Sequence, residues 1–165
     1  MNDPLSKIHE ICTENHFKIA VLESGCGGEI SREIVLRGGA SSWFDSGHVL
    51  YSGTSKLAMG MDYKIHQEFG SVSEQVAMNL ATKYRNKMGL DYVLCEMSFL
   101  PPRKPESKST KPFQMCVAVA GERETHSEVF YLPSFLTWRE DAASYFASCA
   151  MDFLLEFIDL DLVWR

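Results

Sequence analysis

The sequence predicts one α/β domain over residues 1–165, a three-layer α/β/α sandwich around a mixed, mostly parallel sheet. Three observations support this prediction. Segments with helical spacing of apolar residues alternate with short apolar segments typical of buried strands. Two late apolar segments are joined by a tight turn, which indicates an antiparallel hairpin. A chain of 165 residues, 45% of them hydrophobic, can also bury a core without disulfides or a structural metal.

Each element in the first half follows from one of two patterns. Apolar residues recurring every three or four positions predict a helix, and a short apolar run bounded by glycine or polar residues predicts a strand. The predicted order is a helix through Leu5, Ile8 and Ile11, a buried strand over 17–22, a glycine turn over 23–28, a helix over 30–36, a short strand over 48–51 and a helix over 52–61.

The second half is predicted in the same way. Ser73 is a suitable N-cap, because two residues that favour the first helical turn, Glu74 and Gln75, follow it. Four prolines exclude regular structure between the third and fourth predicted strands. The predicted order is a helix over 73–89, a buried strand over 91–97, a long loop, a strand over 113–120, a turn over 121–124, a strand over 125–132 and a helix over 139–157.

The composition argues against several classes of protein. The formal charge of −6 and the pI of about 5.3 provide no general attraction for nucleic acid or anionic membranes. The polar N-terminus and the lack of a long apolar run predict neither a secretion signal nor a membrane span. The five cysteines form no C-x-x-C pair, which argues against zinc and disulfides and favours a cytoplasmic location. They are Cys12, Cys26, Cys95, Cys116 and Cys149.

The glycine turn over 23–28 is the first candidate site. A turn between a strand and a helix leaves backbone N–H groups free to bind a ligand phosphate or an oxyanion. Ser24 lies at the end of the strand, a position from which a nucleophile can reach a substrate. Cys26, at the start of the helix, is a weaker candidate for a reactive thiolate. The glycines have a structural explanation as well, because such turns need positive φ and close packing. Ile30 stands where a dinucleotide-binding fingerprint has glycine.

The second candidate is the segment from Tyr51 to Lys56. A buried lysine with a lowered pKa can take a proton from serine and activate it, provided that Lys56 lies near Ser24. The alternative is an ordinary exposed lysine. The five histidines, His9, His16, His48, His66 and His126, are interpreted as surface or packing residues. The basic segment 103–111 is either a solvated loop or a loop that closes over a phosphate.

Three motifs in order resemble the CinA-like family. The family turn A-E-S-C-T-G-G matches residues 22–28 without gaps, and G-[AS]-S-x-x-F-x-G-G-V-V-x-Y-S-x-x-x-K matches residues 39–56. The family segment G-x-V-S-E-E-V-A matches residues 70–77, and the apolar closing helix is present too. The resemblance covers nearly the whole chain.

The resemblance implies an enzyme that hydrolyses the carboxamide of nicotinamide mononucleotide to the nicotinic acid nucleotide and ammonia. Members of the family are usually oligomeric, so a homo-oligomer is expected, with no metal and no cofactor. Carried over by position, Ser24 is the nucleophile, Lys56 its general base and Tyr51 a supporting hydrogen-bond partner, while the amides of Cys26 and Gly27 hold the oxyanion. The other expected substrate-binding residues are Glu23, Gly25, Gly28 and Ser41.

The largest departure from the family pattern is one segment, and two single positions differ as well: Cys26 replaces the usual turn threonine, and Gln75 replaces the second carboxylate of S-E-E. Where the family has T-G-I-A-G-P, this chain has residues 97–102, Met-Ser-Phe-Leu-Pro-Pro, and both glycines are lost. Larger side chains there would narrow or reshape a nucleotide pocket. The sequence therefore leaves two interpretations open. The chain is an amidase, with an altered substrate if the pocket is reshaped, or it is a catalytically impaired relative that binds nucleotides or other proteins.

Overall fold

The computed structural model describes residues 3–102 and 112–164 of the chain. This part contains six α-helices and five strands: helices and strands alternate up to β2, after which three helices, three strands and a last helix follow. They are α1 (Pro4–Asn15), β1 (Ile19–Glu23), α2 (Glu29–Val35), β2 (Phe44–Val49), α3 (Gly53–Ala58), α4 (Tyr63–Phe69), α5 (Glu74–Met88), β3 (Tyr92–Phe99), β4 (Gln114–Ala120), β5 (Thr125–Tyr131) and α6 (Arg139–Val163).

The five strands form one mixed sheet in the order β2-β1-β3-β4-β5. Strand β1 pairs in parallel with β2 and β3, whereas β4 runs antiparallel to both β3 and β5. Strand β4 is thus the one strand that points the other way, and the predicted mixed sheet with a C-terminal hairpin is confirmed. The carboxyl ends of β1 and β3 lie side by side, because Leu22 pairs with Cys95.

Both faces of the sheet are covered by helices, which makes the three layers. One apolar cluster joins α1, α2 and α6 to alternate residues of the central strands, such as Val21, Leu94 and Val117. The other cluster joins α5 to the residues between them, such as Leu22 and Val93. Burial on both faces explains why β1 reads as a continuous apolar run rather than an alternating one.

Three elements differ most from the sequence-based prediction. Strand β2 begins at Phe44 instead of residue 48, because it lies at the sheet edge and its burial alternates along the strand. Helix α4 has no buried residue, so its sequence lacks the apolar face that would predict it. Helix α6 continues to Val163 instead of ending near 157, since Asp161 accepts hydrogen bonds from Tyr92 and Arg123. No helix in the described ranges is long and apolar enough to cross a membrane.

Candidate active site

A cleft of about 360 Å³ opens beside the carboxyl ends of β1 and β3. Open α/β sheets bind ligands at the carboxyl ends of their strands, where connections leave toward opposite faces. Here the chain leaves β1 toward α2 on one face and reaches β3 from α5 on the other. The lining includes Ser24, Gly25, Tyr51, Lys56 and Arg139, so residues from distant parts of the sequence meet at this cleft.

Ser24 and Lys56 lie in hydrogen-bond contact at the base of the cleft. The Lys56 Nζ atom donates to Ser24 Oγ over 3.1 Å and to the Tyr51 carbonyl over 3.4 Å. The two side chains come from residues 32 positions apart. Ser24 directly follows β1, and α3 brings Lys56 back toward it, its first turn fixed by a capping box at Ser52. The proximity that the sequence-based hypothesis requires is therefore present.

Lys56 is a buried lysine, not an exposed one. The residue is 3% exposed, and burial lowers the pKa of its amine, while Cys95 and Glu96 raise it. A lowered pKa leaves a larger fraction of the amine neutral, and a neutral amine can accept a proton from a serine hydroxyl. The hydroxyl–amine pair can thus generate an oxygen nucleophile without a histidine or a metal. None of the five histidines lines the described part of the cleft.

Glu96 is a polar residue of the site that the sequence patterns did not identify. It lies on β3, is fully buried, and its Oε2 atom accepts the backbone N–H groups of Ser24 over 2.9 Å and Cys26 over 3.0 Å. Burial raises the pKa of Glu96, while the Ser98 side chain and the two backbone N–H donors act to lower it. A carboxylate within an apolar strand is rare unless it has partners. The position of Glu96 within an apolar strand was therefore the sequence signal that could have identified it.

The glycine turn is occupied by carboxylates of the protein itself. Glu23, expected to bind substrate, is fully buried and accepts the N–H groups of Gly28, Ile30 and Ser31 together with the Ser31 hydroxyl. The start of α2 is thereby already neutralised by an internal anion, and both the Glu23 carboxylate and the Gly28 N–H are partnered within the protein. Gly28 has a φ of 103°, which explains the glycine structurally.

The expected oxyanion donors need a correction. The Cys26 amide donates to Glu96, and Gly27 is not among the residues that line the cleft. Gly25 does line it, and in the described part of the chain its amide donates no hydrogen bond. A Cβ atom at Gly25 would lie 2.1 Å from Ser98 Oγ and 3.2 Å from the Ser98 carbonyl oxygen, so the close approach of β3 favours glycine. In place of the Cys26 and Gly27 amides, the Gly25 amide is the backbone N–H group available at the cleft.

Cys26 does not have the environment of a reactive thiolate. It is 5% exposed, and its Sγ donates to the Ala143 carbonyl over 3.6 Å. Burial raises the pKa of the Cys26 thiol, and the neighbouring carboxylates of Glu96 and Glu23 raise it further. The thiol therefore stays protonated near neutral pH, because its charged form would be desolvated among like charges.

Tyr51 contributes to the site differently from the expectation. Its side chain is 67% exposed, and Lys56 contacts its backbone carbonyl, not its hydroxyl. The hydroxyl instead lies 3.3 Å from Nη2 of Arg139, whose Nη1 donates to the Pro101 carbonyl over 2.9 Å. Arg139 thereby places a permanent positive charge at the cleft, a role that its position at the start of α6 did not reveal.

Two further expectations lie away from this cleft. Ser41 is exposed and belongs to a short 3-10 helix, Ala40–Ser42, that precedes β2. Because β1 and β2 are parallel and Ile19 pairs with Phe44, Ser41 lies at the amino ends of the strands, opposite the cleft. The basic segment 103–111 falls outside the described residues.

The segment that departs from the family pattern reaches the cleft. Phe99 and Leu100 both line it, while Met97 is buried in the core beneath the sheet. Phe99 stacks against Phe113 at a ring separation of 5.4 Å, which fixes its side chain at the rim. Ser98 and Pro101 stand at the two positions where the family sequence has glycine, while Phe99 and Leu100 replace isoleucine and alanine and present apolar surface to the cleft.

The fold and the site define a three-layer α/β/α protein with a buried serine–lysine pair at the carboxyl ends of its parallel strands. The family model described as CinA C-terminal domain matches residues 2–158. The chain therefore belongs to the CinA C-terminal domain family.

Curated relatives agree with this assignment. A CinA-like protein of Chlorobium chlorochromatii is 33% identical over 117 residues, which are 68% of this chain and 27% of that protein. A CinA-like protein of Chlorobium limicola is 28% identical over 130 residues, 78% of this chain and 30% of that protein. The chain thus spans less than a third of the length of these curated relatives.

Two crystal structures share the fold at low sequence identity. The competence or damage-inducible protein of Enterobacter asburiae matches with a TM-score of 0.82 at 19% identity, over 93% of this chain and 94% of that chain. The competence damage-inducible protein A of Klebsiella pneumoniae matches with a TM-score of 0.83 at 14% identity, over 94% of this chain and 95% of that chain. These matches confirm the predicted α/β sandwich.

Proposed function

We propose that the chain is an amidohydrolase that uses Ser24 as nucleophile and Lys56 as general base. The observation that carries this proposal is the 3.1 Å contact between Lys56 Nζ and Ser24 Oγ at the base of an open cleft. Burial of the amine supports it, because the lowered pKa of Lys56 favours the neutral form that a base needs.

The reaction proceeds through an acyl-enzyme ester. Neutral Lys56 takes the hydroxyl proton as Ser24 Oγ attacks the carboxamide carbon, and the Gly25 amide is the available donor for the oxyanion. The C–N bond then breaks, and the Lys56 ammonium returns its proton to the departing nitrogen, which leaves as ammonia. In the second half, Lys56 takes a proton from water as the water oxygen attacks the ester. The proton returns to Ser24 Oγ when the carboxylic acid product leaves.

The proposed substrate is nicotinamide mononucleotide. The three motifs that resemble the CinA-like family support this choice, and so does a guanidinium at the cleft, since Arg139 can pair with a phosphate in bidentate fashion. The cleft of about 360 Å³ is at the small end of the range for ligand pockets. Phe99 and Leu100 reduce the space available, so close analogues of the nucleotide belong in the same assay.

The test measures ammonia release and the mass of the acid product with nicotinamide mononucleotide. Wild type should release one ammonia per acid formed, and Ser24→Ala should release none while keeping its melting temperature. Ser148→Ala, at an exposed serine of α6, is the matched control and should behave as wild type. A folded wild-type protein with no turnover on the nucleotide or on a panel of simple amides contradicts the proposal.

A binding module on the same scaffold is the second candidate. The observation that favours it is the pair of apolar side chains, Phe99 and Leu100, at the wall of the cleft. A nucleotide that binds without turnover should raise the melting temperature of wild type and of Ser24→Ala alike. The homo-oligomer expected from the family resemblance stays a prediction, and light scattering on the purified chain checks it.

A further inference from the structure

Glu96 is a fully buried carboxylate behind the turn that carries Ser24. Burying a carboxylate has a large free-energy cost unless hydrogen bonds or opposite charges compensate it. One oxygen, Oε2, is compensated by two backbone N–H groups, and the Ser98 side chain further favours the charged carboxylate, but in the described part of the chain no cation pairs with it. The free-energy cost of burying Glu96 on a central strand indicates that this residue does more than fill space in the core.

The two N–H groups belong to the residues on either side of Gly25. Glu96 thereby fixes the backbone of Ser24 and of Cys26 against β3. Gly25, between them, lies so close to β3 that even a Cβ atom would collide with Ser98 Oγ. The nucleophile thus sits on a turn held at both of its ends, which limits where Ser24 Oγ can be relative to Lys56.

We propose that Glu96 is a positioning residue for the Ser24–Lys56 pair. It anchors the glycine turn that carries Ser24 through two amide hydrogen bonds, and its negative charge stabilises the protonated form of the Lys56 amine. This inference rests on the proposed function, because it assigns to Glu96 an effect on the reactivity of Ser24. Glu96 itself does not line the cleft, so it acts through Ser24 and Lys56 without touching substrate.

The charge effect has a defined direction. Lys56 faces two titratable groups of β3, and both Cys95 and Glu96 raise the pKa of its amine against the lowering by burial. Burial raises the pKa of the Cys95 thiol, which keeps it neutral. Glu96 is faced in turn by Glu23 and Cys26; burial raises the pKa of Glu96, while Ser98 and the two backbone N–H donors favour its charged form. Glu96 is therefore the group whose charge keeps the lysine protonated to higher pH.

Glu96→Gln removes this charge with little change in shape. The amide oxygen can accept the two turn N–H groups, and the amide nitrogen can donate to the neighbouring buried Ser98 hydroxyl. Glu10→Gln removes the same charge from an exposed position on α1, away from the cleft. It is the matched control for a general change in net charge.

The readout is the rate at which a small alkyl fluorophosphonate labels Ser24, followed by intact mass from pH 6 to pH 10. The serine oxygen displaces fluoride, so the rate reports the fraction of neutral Lys56 without a requirement for the natural substrate. In Glu96→Gln the midpoint of the profile should move down by about one pH unit, and labelling well below the wild-type midpoint should be about tenfold faster. Glu10→Gln should follow wild type.

Each result decides the inference. A Glu96→Gln profile that coincides with wild type, or that moves to higher pH, overturns it. If Glu96→Gln does not fold, Glu96→Asp decides, because its shorter carboxylate keeps the charge but cannot reach both amides: the plateau rate should fall at least about tenfold at an unchanged midpoint, and a wild-type plateau overturns the inference. A folded wild type that is not labelled at any pH instead contradicts the proposed function, and the inference falls with it.

Discussion

Replacing Lys56 by methionine should make the protein more stable and Ser24 less reactive. The buried amine makes two hydrogen bonds, at 3.1 and 3.4 Å, and burial disfavours its charged form. An ammonium has three donors, so its hydrogen-bonding capacity is incompletely used in the described structure. Methionine fills a similar volume without a polar group to desolvate. Removing an incompletely satisfied buried polar group is worth about 1–3 kcal/mol of unfolding free energy.

This gain corresponds to roughly 2–4 °C in melting temperature per kcal/mol for a chain of this length. Reactivity should change in the opposite direction, because loss of a general base costs about 10²–10⁴ in rate. Circular dichroism melts measure the first quantity, and fluorophosphonate labelling of Ser24 measures the second. Lys83→Met is the matched control, since Lys83 is exposed and donates to a carbonyl over 3.1 Å; it should gain no stability and leave labelling unchanged.

The same variant has a pH signature whose sign is fixed. Since the folded-state pKa of Lys56 lies below its ordinary value of 10.5, the unfolded chain binds more protons between these two pKa values. Wild-type stability gains a contribution that increases with pH across this window, and below it the destabilisation is complete. The difference between wild type and Lys56→Met should therefore shrink as pH rises toward 10.5. A Lys56→Met variant that is less stable than wild type at neutral pH, or that labels at the wild-type rate, refutes the reasoning.

Three other substitutions test separate parts of the site. Gly25→Ala places a Cβ atom 2.1 Å from Ser98 Oγ and should lower the unfolding free energy by about 1–3 kcal/mol in urea titrations, whereas Gly53→Ala, with open space around its Cβ, should not. Glu23→Ala leaves the three N–H donors of the turn and α2 without their acceptor and should cost at least about 2 kcal/mol; an unchanged urea midpoint contradicts that. Arg139→Met should weaken nucleotide binding at least about tenfold in calorimetry yet leave fluorophosphonate labelling intact, and equal affinity would exclude a phosphate contact.

The sequence predicted the parts of the fold that depend on strong periodicity and caps. Helix α5 begins after Ser73 and ends at Gly89 as predicted, because a serine N-cap and a glycine C-cap are local signals. The doubly buried strands β1 and β3 were found as apolar runs. Edge strand β2 and surface helix α4 were misplaced or missed, since neither buries a continuous apolar face. Local patterns report burial, and these two elements have little of it.

The candidate site was predicted in part for a related reason. Ser24 and Lys56 were identified by their motifs, but their separation depends on how α3 packs against the sheet, which no local pattern reports. For Glu23 and Cys26 the sequence pattern predicted ligand binding, but their polar groups are engaged inside the protein. Hydrogen-bond competition decides their roles, because internal carboxylates already occupy most of the turn amides. Glu96 was missed although its place in an apolar strand indicated a buried partner.

This competition also predicts where the phosphate of the proposed substrate binds. A glycine turn before a helix is an attractive anion site only while its N–H groups are free, and here the Glu23 carboxylate accepts three of them. A second anion beside Glu23 would face like charge at close range in a buried environment. Arg139, which also lines the cleft, has a positive charge that attracts phosphate. Its guanidinium donates a hydrogen bond to the Tyr51 hydroxyl and can donate to phosphate oxygens instead. The carboxamide should therefore lie at Ser24 with the phosphate extended toward α6, so that a nucleoside lacking the phosphate loses affinity in wild type but not in Arg139→Met.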